Sequence, residues 1–293
     1  MTPGLAGAYA YCERLAQTHY ENFPVASRLL PRAMRPHVAA IYAFARLADD
    51  MADEGVRPAA DRIADLDDWE RRLDAAVGDG PLHAGVHAEV FAAVRDTIRA
   101  CRLPPQLLRD LLGAFRQDVT KTRYTTWDDV LDYCRRSADP VGRLVLRIAG
   151  YDEGRLDTAS DAVCTALQLA NFWQDLAIDW RKGRLYVPAS VWEPAGARLT
   201  DLDAGVLTPP WRAALADVTG RTRALFAAGR PVCDGVRGRL RYELRATWLG
   251  GTTILDKLEA AEFDVFTRRP RLTRADAPTI LWQTLWWTKS GHA

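Results

Sequence analysis

The sequence predicts an all-α protein, and three observations support this class. Apolar residues recur at three- and four-residue intervals through long segments, and no segment shows the two-residue alternation of a half-buried strand. Glycine and proline separate the helical segments from one another. The chain has 293 residues, of which 48% are hydrophobic. That is enough to bury a substantial core, and we expect one domain that covers residues 1–293.

In the first part of the chain, each predicted helix ends at a recognisable break. Pro24 interrupts the first helix, and Gly55 and Pro58 follow the third. Residues 78–81 contain two glycines and a proline and are predicted to form a loop. The apolar periodicity predicts helices at residues 8–20, 25–30, 37–53, 61–77, 84–101 and 105–118.

In the second part of the chain, capping and breaking signals are equally clear. Thr126 followed by Asp129 is typical of a helix N-cap. Pro140 is expected to interrupt or bend the helix that begins at Thr126. The remaining helices are predicted at residues 157–180, 211–229 and 236–262, with a loop and a short helix at 189–210.

An acidic cluster closes the predicted helix at 37–53. Its carboxylates are Asp49, Asp50, Asp53 and Glu54, which form two pairs at i, i+4 spacing. Like charges at this spacing destabilise a helix by about 0.2–0.5 kcal/mol per pair. The helix dipole also disfavours anions at a C-terminal end. Because both effects are unfavourable, we expect a compensating positive charge nearby, which a hard divalent cation would supply.

A second apolar helix repeats the arrangement. Asp175 and Asp179 stand four residues apart, and together with Gln168 and Asn171 they form one polar stripe. Basic residues stand close to both acidic clusters, beginning with Arg46 in the first. The pattern predicts a cavity in which Mg²⁺ ions bridge protein carboxylates to substrate phosphates.

A solvated acidic face is the alternative explanation for either aspartate pair. A single pair of this kind on a helix more often faces water than holds a metal. Two pairs, both embedded in apolar helices rather than in runs of charge, favour the metal site.

Composition argues against several other classes of protein. The net charge is +1, so the overall balance gives no support for nucleic acid as a partner. The five cysteines are scattered and never in CxxC spacing, which argues against a disulfide framework or a zinc site. We find no secretory signal and no run of 18 apolar residues. We therefore expect a cytoplasmic protein, and peripheral contact with the inner face of the membrane stays open.

Three motifs carry a resemblance to a known family. They are Tyr42-x-Phe-x-Arg46-x-x-Asp49-Asp50-x-x-Asp53, Gln168-x-x-Asn171-x-x-x-Asp175-x-x-x-Asp179, and Arg184-Leu-Tyr186-Val-Pro188. In this combination and order, the chain resembles the squalene/phytoene synthase family from about residue 8 to residue 275. The resemblance implies an isoprenoid-synthase-like helical bundle with a central cavity, which acts on isoprenoid diphosphates.

The resemblance also implies roles for individual residues. Mg²⁺ on the diphosphate would be held by Asp49, Asp53, Asp175 and Asp179, with Asp50 and Asn171 assisting. A second set would contact the substrate: His19, Asn22, Tyr42, Arg46, Tyr133, Gln168 and Tyr186. From the residues alone, Tyr133 and Tyr186 are equally consistent with core aromatics. His19 is likewise consistent with a structural hydrogen-bonding role.

Within the family, two further stretches resemble one bacterial branch. They are residues 19–31 and residues 264–271, and the branch forms hydroxysqualene from presqualene diphosphate. In that reaction water captures the cation left when diphosphate departs, so no nicotinamide cofactor is expected. Two alternatives stay open: a transferase that joins two prenyl diphosphates head to head, of the presqualene diphosphate or phytoene synthase type, and a helical assembly factor without catalysis.

Two positions depart from the family pattern. Many relatives carry a basic residue immediately before the first aspartate of the second motif, where this chain has Gln174. One contact to diphosphate is therefore absent or supplied from elsewhere. A tyrosine of the late helix is replaced near Gly250 and Gly251. We expect these small residues to leave room for a water molecule or a bulkier substrate.

The C-terminal stretch at 280–293 concentrates three tryptophans. Trp282, Trp286 and Trp287 are predicted to lie on one side of a helix. One interpretation is that this side packs against the rest of the domain. The other is an interfacial helix that touches lipid, because Trp rings near Lys289 suit the headgroup region. The oligomeric state has no signature in the sequence.

Overall fold

The computed structural model describes residues 3–18, 29–53, 57–78, 80–82 and 84–288. Within these ranges the regular structure is helical, and the one β-bridge is an isolated pair between Arg123 and Leu185. The predicted all-α class is therefore confirmed. In the same ranges no helix is long and apolar enough to cross a membrane.

Fourteen helices are present in the described part of the chain. They are α1 (Pro3–Thr18), α2 (Arg35–Asp53), α3 (Ala59–Val77), α4 (Ala88–Cys101), α5 (Gln106–Thr120), α6 (Trp127–Ser137), α7 (Asp139–Ile148), α8 (Gly154–Arg181), α9 (Ala189–Trp192), α10 (Leu199–Asp203), α11 (Pro209–Gly229), α12 (Val232–Gly235), α13 (Gly238–Ala260) and α14 (Ala277–Leu285).

The predicted capping signals coincide with observed helix ends. The Thr126 hydroxyl accepts a hydrogen bond from the Asp129 amide at 3.1 Å, and the Asp129 carboxylate accepts one from the Thr126 amide at 3.3 Å. This reciprocal pair is a capping box that fixes the start of α6. The predicted interruption at Pro140 also occurs, since α6 ends at Ser137 and α7 begins at Asp139.

The chain forms two compact units. The N-terminal unit comprises Met1–Thr120 and Pro140–Glu153, and the C-terminal unit comprises Lys121–Asp139 and Gly154–Ala293. The single domain expected from the sequence stays a prediction.

Helix α2 is the central element of the N-terminal unit, where it packs against α1, α3, α4 and α5. Its inward face is built mostly of alanines, which allow the neighbouring helices to approach closely. Phe44 is the large side chain on that face. Its ring lies 5.8 Å from that of Trp69 and 6.1 Å from that of Phe91. One wide apolar face thus orients α2 and fixes which of its residues point outward.

A polar cluster joins three helices of the same unit. The Tyr9 hydroxyl of α1 donates to the Asp96 carboxylate at 2.7 Å and lies 3.0 Å from both His37 Nδ1 and Thr97 Oγ1. Burial raises the pKa of Tyr9 well above its usual range and lowers that of His37. Because each group has a partner, the cluster anchors α1 and α2 to α4 without an unpaired buried charge.

Helix α8 is the corresponding element of the C-terminal unit, where it packs against α6, α11, α12 and α13. It is 28 residues long and buried over much of its surface. Trp173 lies fully inside, and its indole donates to the Thr222 hydroxyl of α11 at 2.9 Å. The helix is closed by two bonds, from the Arg184 amide to the Asp179 carbonyl and from the Gly183 amide to the Trp180 carbonyl. This C-terminal motif needs a residue with positive φ, and Gly183 supplies it with a φ of 81°, which glycine adopts easily.

Helix α14 closes the C-terminal unit by packing against α13. Trp282 and Trp286 stack on each other with ring centroids 3.7 Å apart, and both are exposed. Trp287 instead turns inward, to within 5.4 Å of the ring of Trp248. The prediction that all three tryptophans share one side of a helix is wrong for Trp287, because α14 ends at Leu285 and Trp287 lies beyond it, where its ring contacts that of Trp248.

Candidate active site

The first acidic cluster occupies the last two described turns of α2. Arg46 lies one turn earlier on the same helix, with Nη2 at 2.7 Å from Asp50 Oδ1 and Nη1 at 3.8 Å from Asp49 Oδ2. Burial opposes the charge on the guanidinium, but the carboxylates of Asp50 and Asp49 outweigh it and raise the pKa of Arg46. The cluster thus contains its own cation, set by helical spacing alone.

The members of this cluster differ in accessibility. The side chain of Asp49 is 41% exposed and that of Asp50 20%, and Asp53 is exposed. Tyr42 lies on α2 one turn before Arg46 and is partly buried. Asp49 and Asp53, which share a side of the helix, are therefore the carboxylates that a ligand reaches most easily.

The second acidic cluster lies at the end of α8, and its cation comes from far along the chain. Arg269 makes a two-point ion pair with Asp175, in which Nη2 donates to Oδ2 at 3.0 Å and Nε donates to Oδ1. The two side chains are 25% and 14% exposed. The amide of Gln174 donates to the carbonyl of Pro270, so adjacent residues of α8 hold adjacent residues of this segment. We refer to residues 268–271 as the Arg269 segment.

The predicted polar stripe of α8 exists as a partly exposed line on a buried helix. Gln168, Asn171, Asp175 and Asp179 are each partly accessible, whereas most residues between them are buried. Successive members are three or four residues apart, so they face the same way. The structure thus brings these four predicted site residues onto one face of the C-terminal unit.

Tyr133 and Tyr186 come together in a cluster of four aromatic rings. Tyr186 stacks on Phe172 with centroids 3.6 Å apart, and Tyr133 lies 5.9 Å from Phe172 and 6.0 Å from Tyr186. Tyr124 completes the cluster at 5.5 Å from Tyr186. The two candidate tyrosines are only 5% and 7% exposed. Their rings are therefore core aromatics, whichever role their hydroxyls have.

Comparison with known proteins gives these motifs a family. The family model of squalene/phytoene synthases matches residues 16–276, which include both aspartate helices and the Arg269 segment. The chain belongs to the squalene/phytoene synthase family. The family acts on isoprenoid diphosphates, so the chain is an enzyme of the isoprenoid synthase or prenyltransferase type.

Individual relatives make the resemblance more specific. The chain is 38% identical over 227 residues to a hydroxysqualene synthase of Rhodopseudomonas palustris, covering 76% of this chain and 74% of that protein. It is 40% identical over 210 residues to a hydroxysqualene synthase of Zymomonas mobilis, covering 70% and 67%. A crystal structure of a squalene synthase from Alicyclobacillus acidocaldarius superposes with a TM-score of 0.82 at 40% identity, over 90% of this chain and 97% of that one.

For a squalene/phytoene synthase, the donors in the two clusters are chemically suited to a hard divalent cation. They are carboxylate oxygens, with the amide oxygen of Asn171 beside them on α8. Mg²⁺ is commonly held by one or two carboxylates together with substrate phosphate oxygens and water. Within the residues that the structure describes, no three His, Cys, Asp or Glu side chains form a ready-made metal site. The fit therefore rests on paired oxygen donors, each pair near an arginine.

Arg269 belongs to the stretch at 264–271 that resembles one branch of the family, but no motif or spacing in the sequence gives it a role at the site. It lies 94 residues from Asp175 along the chain, so neither periodicity nor spacing links the two. One signal was available: Gln174 replaces a basic residue expected from the family, which left a cation missing beside Asp175. Arg269 supplies that cation, and Gln174 itself holds the segment that carries it.

The space expected near Gly251 is filled. A Cβ atom at this position would lie 2.4 Å from Phe226 Cζ and 2.7 Å from Leu167 Cδ2. At Gly250 a Cβ would lie 3.2 Å from Leu272 Cδ1. The expectation of room for water or a larger substrate is therefore wrong at Gly251, because α8 and α11 approach α13 closely enough to use the space that a side chain would take.

Two candidate residues, His19 and Asn22, lie outside the described residues, as does Glu54 of the first cluster. A pocket of about 470 Å³ lies next to the end of α8, lined in part by Trp180, Arg181, Asp203 and Phe266. None of the candidate site residues that the structure describes lines it. The pocket is therefore distinct from the second acidic cluster, although both lie in the C-terminal unit.

Proposed function

We propose that the protein is a Mg²⁺-dependent hydroxysqualene synthase, which converts presqualene diphosphate and water into hydroxysqualene and diphosphate. The observation that carries this proposal is the identity of 38–40% to two proteins named hydroxysqualene synthase. The aspartate pairs on α2 and α8 support it, since ionisation of a diphosphate ester needs oxygen-bound cations at the leaving group.

The reaction begins when the bond between the substrate carbon and the diphosphate oxygen breaks. Diphosphate leaves with the electron pair, and the cyclopropylcarbinyl cation that remains rearranges. The oxygen of water then bonds to the rearranged cation, and one proton is released. No electrons enter or leave, so the balance requires no nicotinamide cofactor.

The residues of this chain have two tasks in that reaction. Bound Mg²⁺ would neutralise charge on the departing diphosphate. Asp49, Asp53, Asp175 and Asp179 would hold it, with Asp50 and Asn171 assisting. Further contacts to the substrate would come from His19, Asn22, Tyr42, Arg46, Tyr133, Gln168 and Tyr186.

We add Arg269 to the proposed site. Its guanidinium occupies two oxygens of Asp175, which are the atoms that Mg²⁺ would need. For Asp175 to serve as a ligand, Mg²⁺ would either displace one guanidinium hydrogen bond or bind a carboxylate lone pair that the guanidinium leaves free. In either case the guanidinium stays close to the same carboxylate, where its fork of donors suits a diphosphate oxygen.

Product analysis distinguishes this function from the alternatives. Purified protein with Mg²⁺ and without nicotinamide cofactor is incubated with presqualene diphosphate in ¹⁸O-labelled water, and the products are identified by mass spectrometry. We expect hydroxysqualene that contains one ¹⁸O atom and no product when Mg²⁺ is removed by a chelator. Squalene formed only after NADPH is added would instead show hydride capture.

A parallel incubation with farnesyl diphosphate alone tests the head-to-head transferase. Presqualene diphosphate as the accumulated product would overturn the proposal and assign the condensing reaction. No product from either substrate would favour a helical assembly factor. Peripheral contact with a membrane is also part of this proposal.

A further inference from the structure

Four large apolar side chains stand together on the outside of α14. Leu281, Trp282, Leu285 and Trp286 are 55%, 59%, 61% and 60% exposed. They form two i, i+4 pairs on adjacent rows of the helix, and the two indoles stack. We call this surface the α14 outer face. Hydrophobic exposure at this density on a nine-residue helix is not the scattered exposure of an ordinary surface.

The inward side of α14 and two of the residues that follow the helix, Trp287 and Thr288, attach it to the C-terminal unit. Trp287 lies under Arg230, whose guanidinium carbon is 4.3 Å from the ring centroid, with Arg245 at 5.2 Å on the same ring. Arg230 Nη2 also donates to the Thr288 carbonyl at 2.6 Å. Thr284, on the inward side, is buried. The residues that attach the helix, Thr284, Trp287 and Thr288, are different from those of the α14 outer face. The outer face is therefore exposed on a helix that is attached to the C-terminal unit.

The chain around this face is basic. Residues 265–288 contain four arginines and one aspartate. Arg269 is paired with Asp175, and the other three arginines are exposed. Arg271 and Arg274 are exposed just before α14. The aspartate, Asp276, is paired with Lys257 at 2.9 Å. An apolar face beside exposed arginines is complementary to the surface of an anionic lipid bilayer, in which charged headgroups cover an apolar interior.

The size of the face also bears on its occupant. Because a large aromatic side chain offers up to about 250 Å², two tryptophans and two leucines at these exposures present roughly 500 Å². A stable protein dimer buries about 800 Å² on each partner. Tryptophan at the surface is instead typical of the membrane interface, where the ring is apolar and its N–H meets the headgroups.

We propose that the α14 outer face binds the headgroup region of an anionic lipid bilayer, with Arg271 and Arg274 contacting lipid phosphates. The helix lies in the plane of the interface, and Trp287 keeps it attached to the enzyme. This surface would hold the protein at the membrane where long isoprenoid chains reside. The inference does not depend on which reaction of the family the protein catalyses.

Vesicle sedimentation with the full-length protein tests the proposal. Vesicles of phosphatidylcholine and phosphatidylglycerol at 3:1 are compared with vesicles of phosphatidylcholine alone. We expect the Trp282→Ser/Trp286→Ser double variant to lower the bound-to-free ratio on mixed vesicles by at least about tenfold. The Arg271→Gln/Arg274→Gln variant should reduce the preference for mixed vesicles and its dependence on salt, because it removes only the electrostatic part.

A matched control removes exposed apolar residues elsewhere. Val86 and Val206 are 74% and 52% exposed, and a Val86→Ser/Val206→Ser variant should bind vesicles as the wild type does. Unchanged circular dichroism and melting temperature confirm that each variant is folded. Vesicle binding that the tryptophan variant retains would overturn the proposal. So would a wild-type dimer in sedimentation velocity that the same variant converts to monomer without any vesicle binding, since the face would then join two copies of the chain.

Discussion

The two aspartate helices solve the same electrostatic problem in different ways. In both, two aspartates four residues apart place like charges on one side of a helix. On α2 the compensating charge is Arg46, three and four residues before the carboxylates it contacts. On α8 it is Arg269, which lies 94 residues after Asp175 and belongs to a segment without helical structure.

The difference determines what each ion pair depends on. A pair at i, i+4 spacing forms whenever the helix forms and contributes about 0.2–0.5 kcal/mol. The pair between Asp175 and Arg269 forms only when the Arg269 segment is in place, and the amide of Gln174 contacts that segment through a hydrogen bond to the Pro270 carbonyl. Access to Asp49 is therefore a local property of α2, whereas access to Asp175 is a property of the folded C-terminal unit.

The largest expected effect comes from removing one carboxylate of each helix. Asp49→Asn and Asp175→Asn should each lower turnover of presqualene diphosphate by about 100-fold or more, because an amide supports neither the charge nor the geometry that Mg²⁺ requires. Single-turnover kinetics at saturating Mg²⁺ measure the effect. Helical circular dichroism should be unchanged.

A surface aspartate provides the control for these variants. Asp68 on α3 pairs with Arg71 at i, i+3 spacing and is 54% exposed. Asp68→Asn should therefore leave turnover unchanged. If either site variant turned over substrate at a near-normal rate, its helix would not belong to the metal site. The other helix would then carry the function alone.

A smaller effect is expected from filling the close contact between α13 and α8. In Gly251→Ala the added methyl would meet Phe226 and Leu167 at less than 3 Å, so these side chains or α8 must move. We expect the free energy of unfolding to fall by about 1–3 kcal/mol. Urea denaturation followed by circular dichroism measures it. Since Leu167 precedes Gln168, the polar stripe should shift and turnover should fall as well.

Gly220 offers a matched control for that substitution. It lies in the middle of α11 and is exposed, and a methyl group added there would have no atom within 4 Å. Gly220→Ala should leave stability unchanged or raise it by up to about 1 kcal/mol, because alanine is the better helix former. Equal stability losses in both variants would mean that the contact at Gly251 is not tight.

The sequence predicts what depends on neighbouring positions in one helix. Periodicity predicts α2 and α8, the reciprocal signal at Thr126 and Asp129 predicts the start of α6, and spacing places Arg46 beside Asp49 and Asp50. Each of these requires only the geometry of one helix and its first turn.

The sequence does not predict contacts between distant segments. The role of Arg269, the filled space at Gly251 and the inward turn of Trp287 each depend on which helix lies opposite. A pattern shows which face of a helix is apolar, but it does not show what fills the space in front of that face. The absent basic residue at Gln174 was an indirect signal, because it showed that a charge was needed without showing its source.

The smallest expected effect is on the free energy of unfolding when Arg269 or Arg46 is replaced. Arg269→Gln should lower the free energy of unfolding by about 1–2 kcal/mol, since it leaves a partly buried carboxylate without its two charged hydrogen bonds. Arg46→Gln should cost at most about 0.5 kcal/mol, the value of a pair within one helix. Chemical denaturation gives both numbers. Arg268→Gln, which changes an exposed neighbour of Arg269, should change nothing measurable.

Hydrogen exchange locates the effect and decides between a local and a tertiary cause. In Arg269→Gln, amides of residues 266–272 should exchange faster while those of α2 keep their rates, because the segment loses one of its two attachments to α8. Arg269→Lys should restore only part of the protection, since an ammonium cannot bind both carboxylate oxygens in parallel. Unchanged exchange in residues 266–272 would mean that Gln174 and packing hold the segment without the ion pair, and access to Asp175 would then not depend on Arg269.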